Sequence, residues 1–332
     1  MLGSSKVFRQ AATAVLASAC LAQPLAAAQA DPAKDYPNKP IRFIVPFVAG
    51  AGNDATTRAI AQKLSEAWGR QVIVDNRPGA TGAIGADLTA KAAPDGYTIC
   101  MIGASHSMIS AVNPKLPYDL TKDLTAISQA ASVFYVLYQS PSLPVKSVKE
   151  LIAHAKAHPG KLNYGTPGAA SMQHFAWEMF SHMAGTKLVH VPYKGGAAAI
   201  AAMLAGDVQV GMGSLIGIRP HMATGRLRLL AITAKQRSPS VPELPTVSEA
   251  GVPGYEVDQW YGVITGAKVS SAIIRKLNAG IVEALKSPDM VQRLAADGST
   301  AVGSSPEEFA AHINSEIAKW RKLVKDARLV LE

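Results

Sequence analysis

The chain has 332 residues, of which 48% are hydrophobic and 17% are charged, and its formal net charge is +9. This length is too great for one small core and is typical of an α/β protein with two lobes. The basic residues are scattered, with no run of four and no interleaved aromatic residues, which argues against a nucleic-acid partner but is compatible with attraction of anionic solutes.

Residues 1–30 have the pattern of a signal peptide. They contain Lys6 and Arg9 but no acid, continue into a stretch rich in Ala and Leu, and end in Ala28-Gln-Ala30. Polar residues and a proline interrupt the stretch, so it does not predict a membrane anchor. Cys20 lacks the leucine expected three residues before a lipid-attachment cysteine. The pattern therefore predicts a soluble protein exported to the periplasm, with a net charge of +7 once Lys6 and Arg9 are removed.

After removal of the signal peptide, Cys100 is the only cysteine in the sequence. An intramolecular disulfide is then impossible, and the apolar strand around Cys100 favours a buried side chain over a reactive thiol. No Cys/His spacing typical of zinc is found. We therefore expect neither a metal nor a cofactor.

The first predicted unit is an apolar strand over Ile41–Val45, a small-residue loop and a helix over 55–68. Asn53 or Asp54 is placed to cap this helix, and glycines 50 and 52 let the backbone approach a guest closely. Free N–H groups at a helix start favour an anion by about 0.3–1 kcal/mol. The loop therefore suggests a cradle for a carboxylate or a phosphate.

Two other interpretations of this loop stay open from the local pattern. One is a plain strand-to-helix turn, and the other is a dinucleotide fingerprint, because residues 50–55 fit G-x-G-x-x-G/A and the next strand ends in an acid. A nicotinamide enzyme would have no cofactor supply outside the cytoplasm, so the signal peptide argues against the dinucleotide interpretation.

The rest of the chain alternates strand and helix. Strands are predicted over 71–75, 97–103, 133–139, 162–164, 188–192, 208–212, 227–233 and 255–265, and helices ending at 93, 158, 183, 205, 286, 297 and 327. Several strands end in glycine, serine or threonine residues, for instance at 104–107 and 165–171. Ligands of open α/β sheets bind outside the carboxyl ends of strands, so these ends predict a cleft.

Several motifs along the chain resemble the Bug family, the periplasmic receptors of tripartite tricarboxylate transporters. The motifs are Tyr36-Pro-Asn-Lys-Pro-Ile41, Val45-Pro-Phe47, Asn76-Arg-Pro-Gly79, Ala92-Ala-Pro-Asp-Gly-Tyr97, His190-Val-Pro-Tyr-Lys-Gly-Gly196 and Leu244-Pro-Thr-Val-Ser-Glu-Ala-Gly-Val-Pro-Gly-Tyr255. The resemblance implies an α/β, two-lobed type II periplasmic-binding-protein fold with residues 31–137 and 257–332 in lobe 1 and residues 138–256 in lobe 2. It also implies a monomeric, non-catalytic receptor that holds a small carboxylate in the cleft by backbone amides and bridging waters, then delivers it to membrane transporter subunits or a sensor.

Carried over by position, the family's ligand contacts fall in both lobes. From lobe 1 they are Phe47, Val48, Ala49, Gly50, Gly52, Asn53, Thr81, Gly82 and Ser105, and from lobe 2 they are Ser171, His174 and Ser214. The usual Phe-Asp-Asn strand end of the family is Met212-Gly213-Ser214 here, and the first loop lacks the usual paired prolines. Loss of the acid argues against amine-bearing ligands and favours an uncharged or anionic distal end.

Some of these residues have competing interpretations. His174 can be a structural histidine, His106 can lie in the cleft or at the surface, and Arg58 is expected to pair with Asp54 rather than with ligand. The main rival function is an exported hydrolase. Its one hint is Gly103-Ala-Ser-His-Ser107, which is one residue short of G-x-S-x-G and has no recognisable base or orienting acid.

Overall fold

A computed structural model describes residues 33–50, 52–169, 171–296 and 298–327. The predicted signal peptide, residues 1–30, lies outside the described residues. In the part that is described, no helix combines the length and the apolar character that crossing a membrane requires.

Strands and helices alternate along most of the chain. The strands are β1 (Ile41–Val45), β2 (Val72–Asn76), β3 (Thr98–Gly103), β4 (Leu124–Gln139), β5 (Asn163–Thr166), β6 (Val189–Pro192), β7 (Val210–Ser214), β8 (Arg228–Ile232), β9 (Asp258–Gly266) and β10 (Ser299–Ala301). The helices are α1 (Gly52–Trp68), α2 (Ala83–Ala90), α3 (Ala104–Val112), α4 (Val148–Ala157), α5 (Met172–Ala184), α6 (Gly196–Ala205), α7 (Leu215–Ala223), α8 (Ser271–Lys286), α9 (Pro288–Ala296) and α10 (Pro306–Ala327), with a short 3₁₀ turn over Ala80–Gly82.

Serine hydroxyls fix where several helices begin. Ser147, Ser171 and Ser270 each accept a hydrogen bond from a backbone N–H in the first turn of α4, α5 and α8. These bonds satisfy amides that have no intrahelical partner, and each such cap is worth about 1 kcal/mol. The serine before each of these apolar stretches thus sets where the helix begins.

Within the described residues, ten strands form one mixed sheet in the order β2-β1-β3-β9-β4-β7-β5-β6, with β8 and β10 also pairing with β4. Strand β4 joins the two halves of this sheet. Its residues up to Phe134 pair with β9 and β10, and its residues from Tyr135 onward pair with β7 and β8. We call the part from β2 to β9 the first half and the part from β7 to β6 the second half.

The register places the carboxyl ends of two parallel sets of strands opposite each other. Gly103, which ends β3, lies opposite Tyr261 of β9, and Tyr261 lies opposite Ala131 of β4. Ser214, which ends β7, lies opposite Tyr135 of β4. Since β3 and β7 run in opposite directions, their ends face each other along β4 across the four residue steps from Ala131 to Tyr135, about 13 Å.

Long helix α10 packs against residues of both halves. Phe309 lies edge-on to Trp260 of β9, with ring centroids 5.4 Å apart, and Trp320 lies edge-on to Phe175 of α5 at 5.8 Å. Gly262 admits the Phe309 ring, because a Cβ there would lie 2.1 Å from its Cζ. Burial of these large rings stabilises the fold by about 1.5–3 kcal/mol for each side chain.

Several element predictions are confirmed and several are wrong. The predicted strand Ile41–Val45 has the observed bounds, and the helix predicted to end at 286 is α8, which ends at Lys286. Residues 104–107 follow a strand end as predicted, but they form the start of helix α3, which was not predicted. The prediction of a strand over 133–139 found only the end of β4, because serines, a glutamine and two register shifts interrupt the apolar pattern of its first part. Helix α7 and strand β10 were not predicted.

Candidate ligand-binding cleft

The loop after β1 is held in place by the Asp54 carboxylate in the first turn of α1. Oδ2 accepts hydrogen bonds from the Gly50 amide at 2.9 Å and from Nε of Arg58 at 3.0 Å, and Oδ1 accepts one from Nδ2 of Asn76 at 2.9 Å. Burial by itself would raise the pKa of Asp54, but these bonds together hold the pKa below its usual value. Arg58 therefore pairs with Asp54, as the sequence predicted.

This arrangement changes which amides can meet a guest. The expected cap is wrong in detail, because α1 begins at Gly52 and the Asn53 side chain accepts the amide of Asp54 at 2.9 Å. The Gly50 amide donates to Asp54 and is therefore not available to a ligand. The role left for Gly50 is conformational, because its φ of 85° favours glycine and shapes the turn. Helix geometry leaves the first-turn amides of Gly52 and Asn53 without an intrahelical carbonyl, so these two are placed to bind an anion.

Gly52 lies against the central strands of the sheet. A Cβ at Gly52 would lie 2.9 Å from the Tyr261 hydroxyl of β9. The neighbouring side chain of Val48 is 65% exposed, Ala49 is also exposed and Phe47 is half-buried. The loop therefore presents backbone toward the strands and apolar side chains toward solvent.

His106 braces the loops that follow β1, β2 and β3. Its Nδ1 accepts the Gly103 amide at 3.2 Å, and its Nε2 lies 3.3 Å from the Gly82 carbonyl, so Nε2 carries the proton. Burial lowers the pKa of His106 to about 4, although the bonds to Gly82 and Gly103 oppose this shift. The ring meets Phe47 edge-on at 5.7 Å. His106 thus lies neither at the surface nor exposed in the cleft, and it acts as a neutral support.

The loop after β2 is strained beside this support. Thr81 has a φ of 54°, which a β-branched residue rarely adopts, and Gly82 has a φ of 96°. A Cβ at Gly82 would lie 2.5 Å from Nε2 of His106, so only glycine fits there. A left-handed residue of this kind costs about 1–3 kcal/mol and is found mainly at functional sites. Thr81 is exposed at the tip of the loop, where its hydroxyl and amide can meet a ligand.

Ser105 has a buried hydroxyl whose hydrogen-bonding capacity is unused among the described residues. It is the second residue of α3, at the carboxyl end of β3, and it is 8% exposed. Its Oγ is buried and has no hydrogen-bond partner among the described residues. An unpaired buried hydroxyl costs about 1–3 kcal/mol, which an acceptor bound in the cleft would offset. Both ring nitrogens of the neighbouring His106 face glycine backbone, so the described hydrogen bonds assemble no Ser–His pair.

In the second half of the sheet, Ser171 and His174 lie at the start of α5. The Ser171 hydroxyl accepts the His174 amide at 3.3 Å as a helix cap, and its own proton can still be donated to a guest. The His174 ring stacks on His190 of β6 with centroids 3.9 Å apart and an interplanar angle of 9°. Burial lowers the pKa of both histidines, that of His190 to about 4. Thr166 fixes His190 through a 2.7 Å bond between Oγ1 and Nε2.

Ser214 ends β7 and precedes α7 without a side-chain cap hydrogen bond. It lines a cavity of about 330 Å³ together with Pro167, which follows β5. The second half therefore contributes the ends of β5 and β7 and the first turn of α5. The described side-chain contacts do not connect Ser171, His174 or Ser214 to the first-half residues, and the two groups are related through the register of β4.

Two central residues of the cleft were not found from the sequence. The Tyr135 hydroxyl of β4 donates to Oε1 of Gln259 on β9 at 3.2 Å. A Cβ at Gly103 would lie 3.1 Å from Nε2 of Gln259, so this amide lies beside the end of β3. Both residues belong to the central strands β4 and β9. The sequence signal that could have indicated them is the presence of polar groups at alternate positions of a buried strand. Which of the named residues touch ligand stays a prediction.

The fold is that of known solute receptors. The periplasmic binding protein BugD aligns with a TM-score of 0.74 at 27% sequence identity, over 88% of this chain and 98% of BugD. The R. palustris protein Rpa4515 with adipate aligns with a TM-score of 0.77 at 35% identity, over 88% of this chain and 98% of Rpa4515. An α/β chain with opposed strand ends and these structural relatives is a solute-binding protein of the periplasmic-binding-protein class.

The family follows from the sequence comparisons. Residues 56–329 match the tripartite tricarboxylate transporter family receptor. BugT of Bordetella pertussis is 34% identical over 313 residues, which cover 94% of this chain and 94% of BugT. The chain therefore belongs to the tripartite tricarboxylate transporter receptor family, and the resemblance to the Bug family is confirmed.

Proposed function

We propose that this chain binds a small organic carboxylate between the opposed strand ends and delivers it to the membrane subunits of a transporter. The observation that carries the proposal is Ser105, whose hydroxyl is buried without a partner among the described residues and lies in the first turn of α3, directly after β3. The other neutral donors are the first-turn amides of α1 and the Thr81 hydroxyl in the first half, and the Ser171 hydroxyl at the start of α5 in the second half. Neutral donors to a carboxylate are worth about 1.5–3 kcal/mol each, so a few of them can hold the solute without an arginine.

The acid nearest to these donors does not oppose an anionic guest. Asp54 is neutralised by Arg58 and by two further hydrogen bonds, so its charge is satisfied within the loop. The net positive charge of the chain favours the approach of anions. Rpa4515, which shares 35% identity, is a relative with adipate, a carboxylate. These points support a carboxylate over an amine or a neutral sugar.

The proposal includes the organisation of the whole protein. Residues 1–30 would direct export to the periplasm and be removed near Asp31. Residues 31–137 and 257–332 would form one lobe and residues 138–256 the other, because β4 changes partners at Tyr135 and β9 returns from Asp258. The protein would act as a monomer and carry out no reaction on its solute.

Mass spectrometry of the protein purified gently from the periplasm tests the proposal. We expect an intact organic acid to be released on denaturation and the same acid to bind the stripped protein in calorimetry. An exported hydrolase would instead release a cleavage product, or turn over ester substrates during the titration. Either of those results, or binding of neutral solutes only, would contradict the receptor function.

A further inference from the structure

The second half of the sheet contains a cavity that the site residues discussed so far touch only at one edge. It has a volume of about 330 Å³ and lies between α6 and α7, over the strands β4 and β7. Pro167 and Ser214, at the carboxyl ends of β5 and β7, form the edge on the cleft side. Volumes of this size are typical of the smaller ligand pockets of proteins.

The wall of this cavity consists mostly of small apolar residues, and besides Tyr138 its polar lining residues are Gln173, Ser214 and His221. Glycines and alanines of α6 and α7 line it with Ile200, Leu204 and Met212. Among its described lining residues there is no Asp, Glu, Lys or Arg, and His221 is at the end of α7 away from Ser214. A second carboxylate placed here would lose its hydration without gaining a cation, which is costly.

The floor of the cavity is the ring of Tyr138. Glycines leave room for it, because a Cβ at Gly211 would lie 2.7 Å from the ring and one at Gly213 would lie 3.3 Å from it. Tyr138 is 2% exposed, and its hydroxyl makes no hydrogen bond to a described residue. The floor thus offers an apolar face with a single donor, which suits an apolar group carrying at most one neutral acceptor.

From these contacts we infer that the solute is a carboxylate with an uncharged, apolar tail, and that this cavity receives the tail. The inference rests on the proposed function, since the carboxylate end would be held near Ser105 and the strand ends. The cavity extends along α6 from Gly196 to Leu204, about 12 Å at the rise of an α-helix. A straight chain or a single aromatic ring fits a space of this length.

Calorimetric titration of the full mature protein with butanoate, hexanoate and octanoate, and with the dicarboxylates of equal length, tests the inference. We expect affinity for the monocarboxylates to rise about fourfold for each methylene buried, and to exceed that of the dicarboxylate of equal length. Tighter binding of the dicarboxylates, or affinity independent of chain length, would overturn it while leaving carboxylate binding intact. Failure of every acid to bind would overturn the proposed function as well.

Substitutions in the cavity wall test whether the tail of the solute binds there. A Cβ at Gly217 of α7 would lie 3.5 Å from Oγ of Ser214 and 3.7 Å from Cδ1 of Ile200, so the first carbon of a side chain fits and a longer one fills the cavity. Gly217→Leu should weaken octanoate binding at least tenfold and leave butanoate unchanged. Ala205→Leu, on an exposed position of α6 outside the cavity, is the control and should change neither. Should Gly217→Leu fail to fold, Ala201→Leu on the cavity wall has the same expected result, and unchanged octanoate binding would overturn the inference.

Discussion

The hydroxyl of Ser105 is buried without a partner at the point where three loops of the first half meet. Replacing it by alanine removes a donor that only a ligand can use, and removes a buried unpaired group from the free protein. Ser105→Ala should therefore weaken binding of the carboxylate ten- to hundredfold, about 1.5–3 kcal/mol, and leave thermal stability unchanged or slightly higher. Calorimetry and thermal unfolding of the purified variant measure the two effects.

Ser110 provides a matched control on the same helix. Its Oγ is also buried without a partner among the described residues, but it lines a groove against Asn314 and Arg321 of α10. Ser110→Ala should therefore not change the affinity. Equal losses of affinity in both variants would mean that α3 as a whole, rather than the Ser105 hydroxyl, controls binding.

His106 shows why single residues were the hardest part to predict. The sequence placed it beside Ser105 but could not decide between the cleft and the surface. In the structure it is buried and joins Gly82 to Gly103 through its two ring nitrogens. Those contacts bring together loops that are more than twenty residues apart. Next to them, Thr81 adopts a left-handed backbone conformation. Such a contact depends on the packed loops and leaves no periodic signal in the sequence.

At the scale of elements, prediction succeeded where local chemistry decides. Apolar β-branched residues predicted β1, and an apolar pattern of helical period predicted α8 with its end at Lys286. It failed for the first part of β4, which pairs with β9 and is bonded by distant residues: Ser128 donates to the Ser304 carbonyl, and Asn278 of α8 donates to the Ile127 carbonyl. A strand whose burial comes from distant elements has no clear local pattern, so the ends of the flanking strands were predictable but the first part of β4 was not.

Asp258, the first residue of β9, is expected to make the stability of the fold depend on pH. Burial raises its pKa to about 6, with Glu256 and Glu316 adding to the shift and Ser132 and Lys319 opposing it. Its Oδ2 accepts the Ser132 hydroxyl at 3.0 Å, whereas its Oδ1 is buried without a partner among the described residues. The folded pKa lies above the unfolded value of about 3.9, so the folded state holds the proton between about pH 4 and 6 and loses stability as the pH rises through 6.

Asp258→Asn should remove this loss while keeping an acceptor for Ser132. We expect the variant to be more stable than the parent at pH 7, by up to about 3 kcal/mol, and the difference to vanish near pH 4. Chemical denaturation at several pH values measures it. The contrast is Asp119→Asn, because bonds from Lys122 and Thr121 lower the pKa of Asp119 and its replacement should destabilise at pH 7. A destabilised Asp258→Asn at neutral pH would show that the charge of Asp258 is instead stabilised.

At the scale of the whole molecule, a packed helix and a continuous strand connect the two halves of the sheet. Helix α10 touches both, through Phe309 on Trp260 and through Trp320 on Phe175. Strand β4 runs from the first half into the second, and its partner changes from β9 to β7 between Phe134 and Tyr135. A bend at these few strand positions would bring the strand ends together without breaking either half of the sheet, which is the usual form of hinge closure.

We predict that the saturating carboxylate makes the mature protein more compact, because its donors come from Ser105 on one side and Ser171 on the other. X-ray scattering with and without the solute should show a smaller radius of gyration with it. Ser105→Ala is the control, since at a solute concentration that saturates only the parent it should stay extended. An unchanged radius of gyration in a sample whose binding is confirmed by calorimetry would mean that the cleft is already closed in the free protein. The position at Tyr135 where β4 changes partners would then not act as a hinge. Affinity would depend on donors that are already in place in the free protein rather than on closure of the cleft.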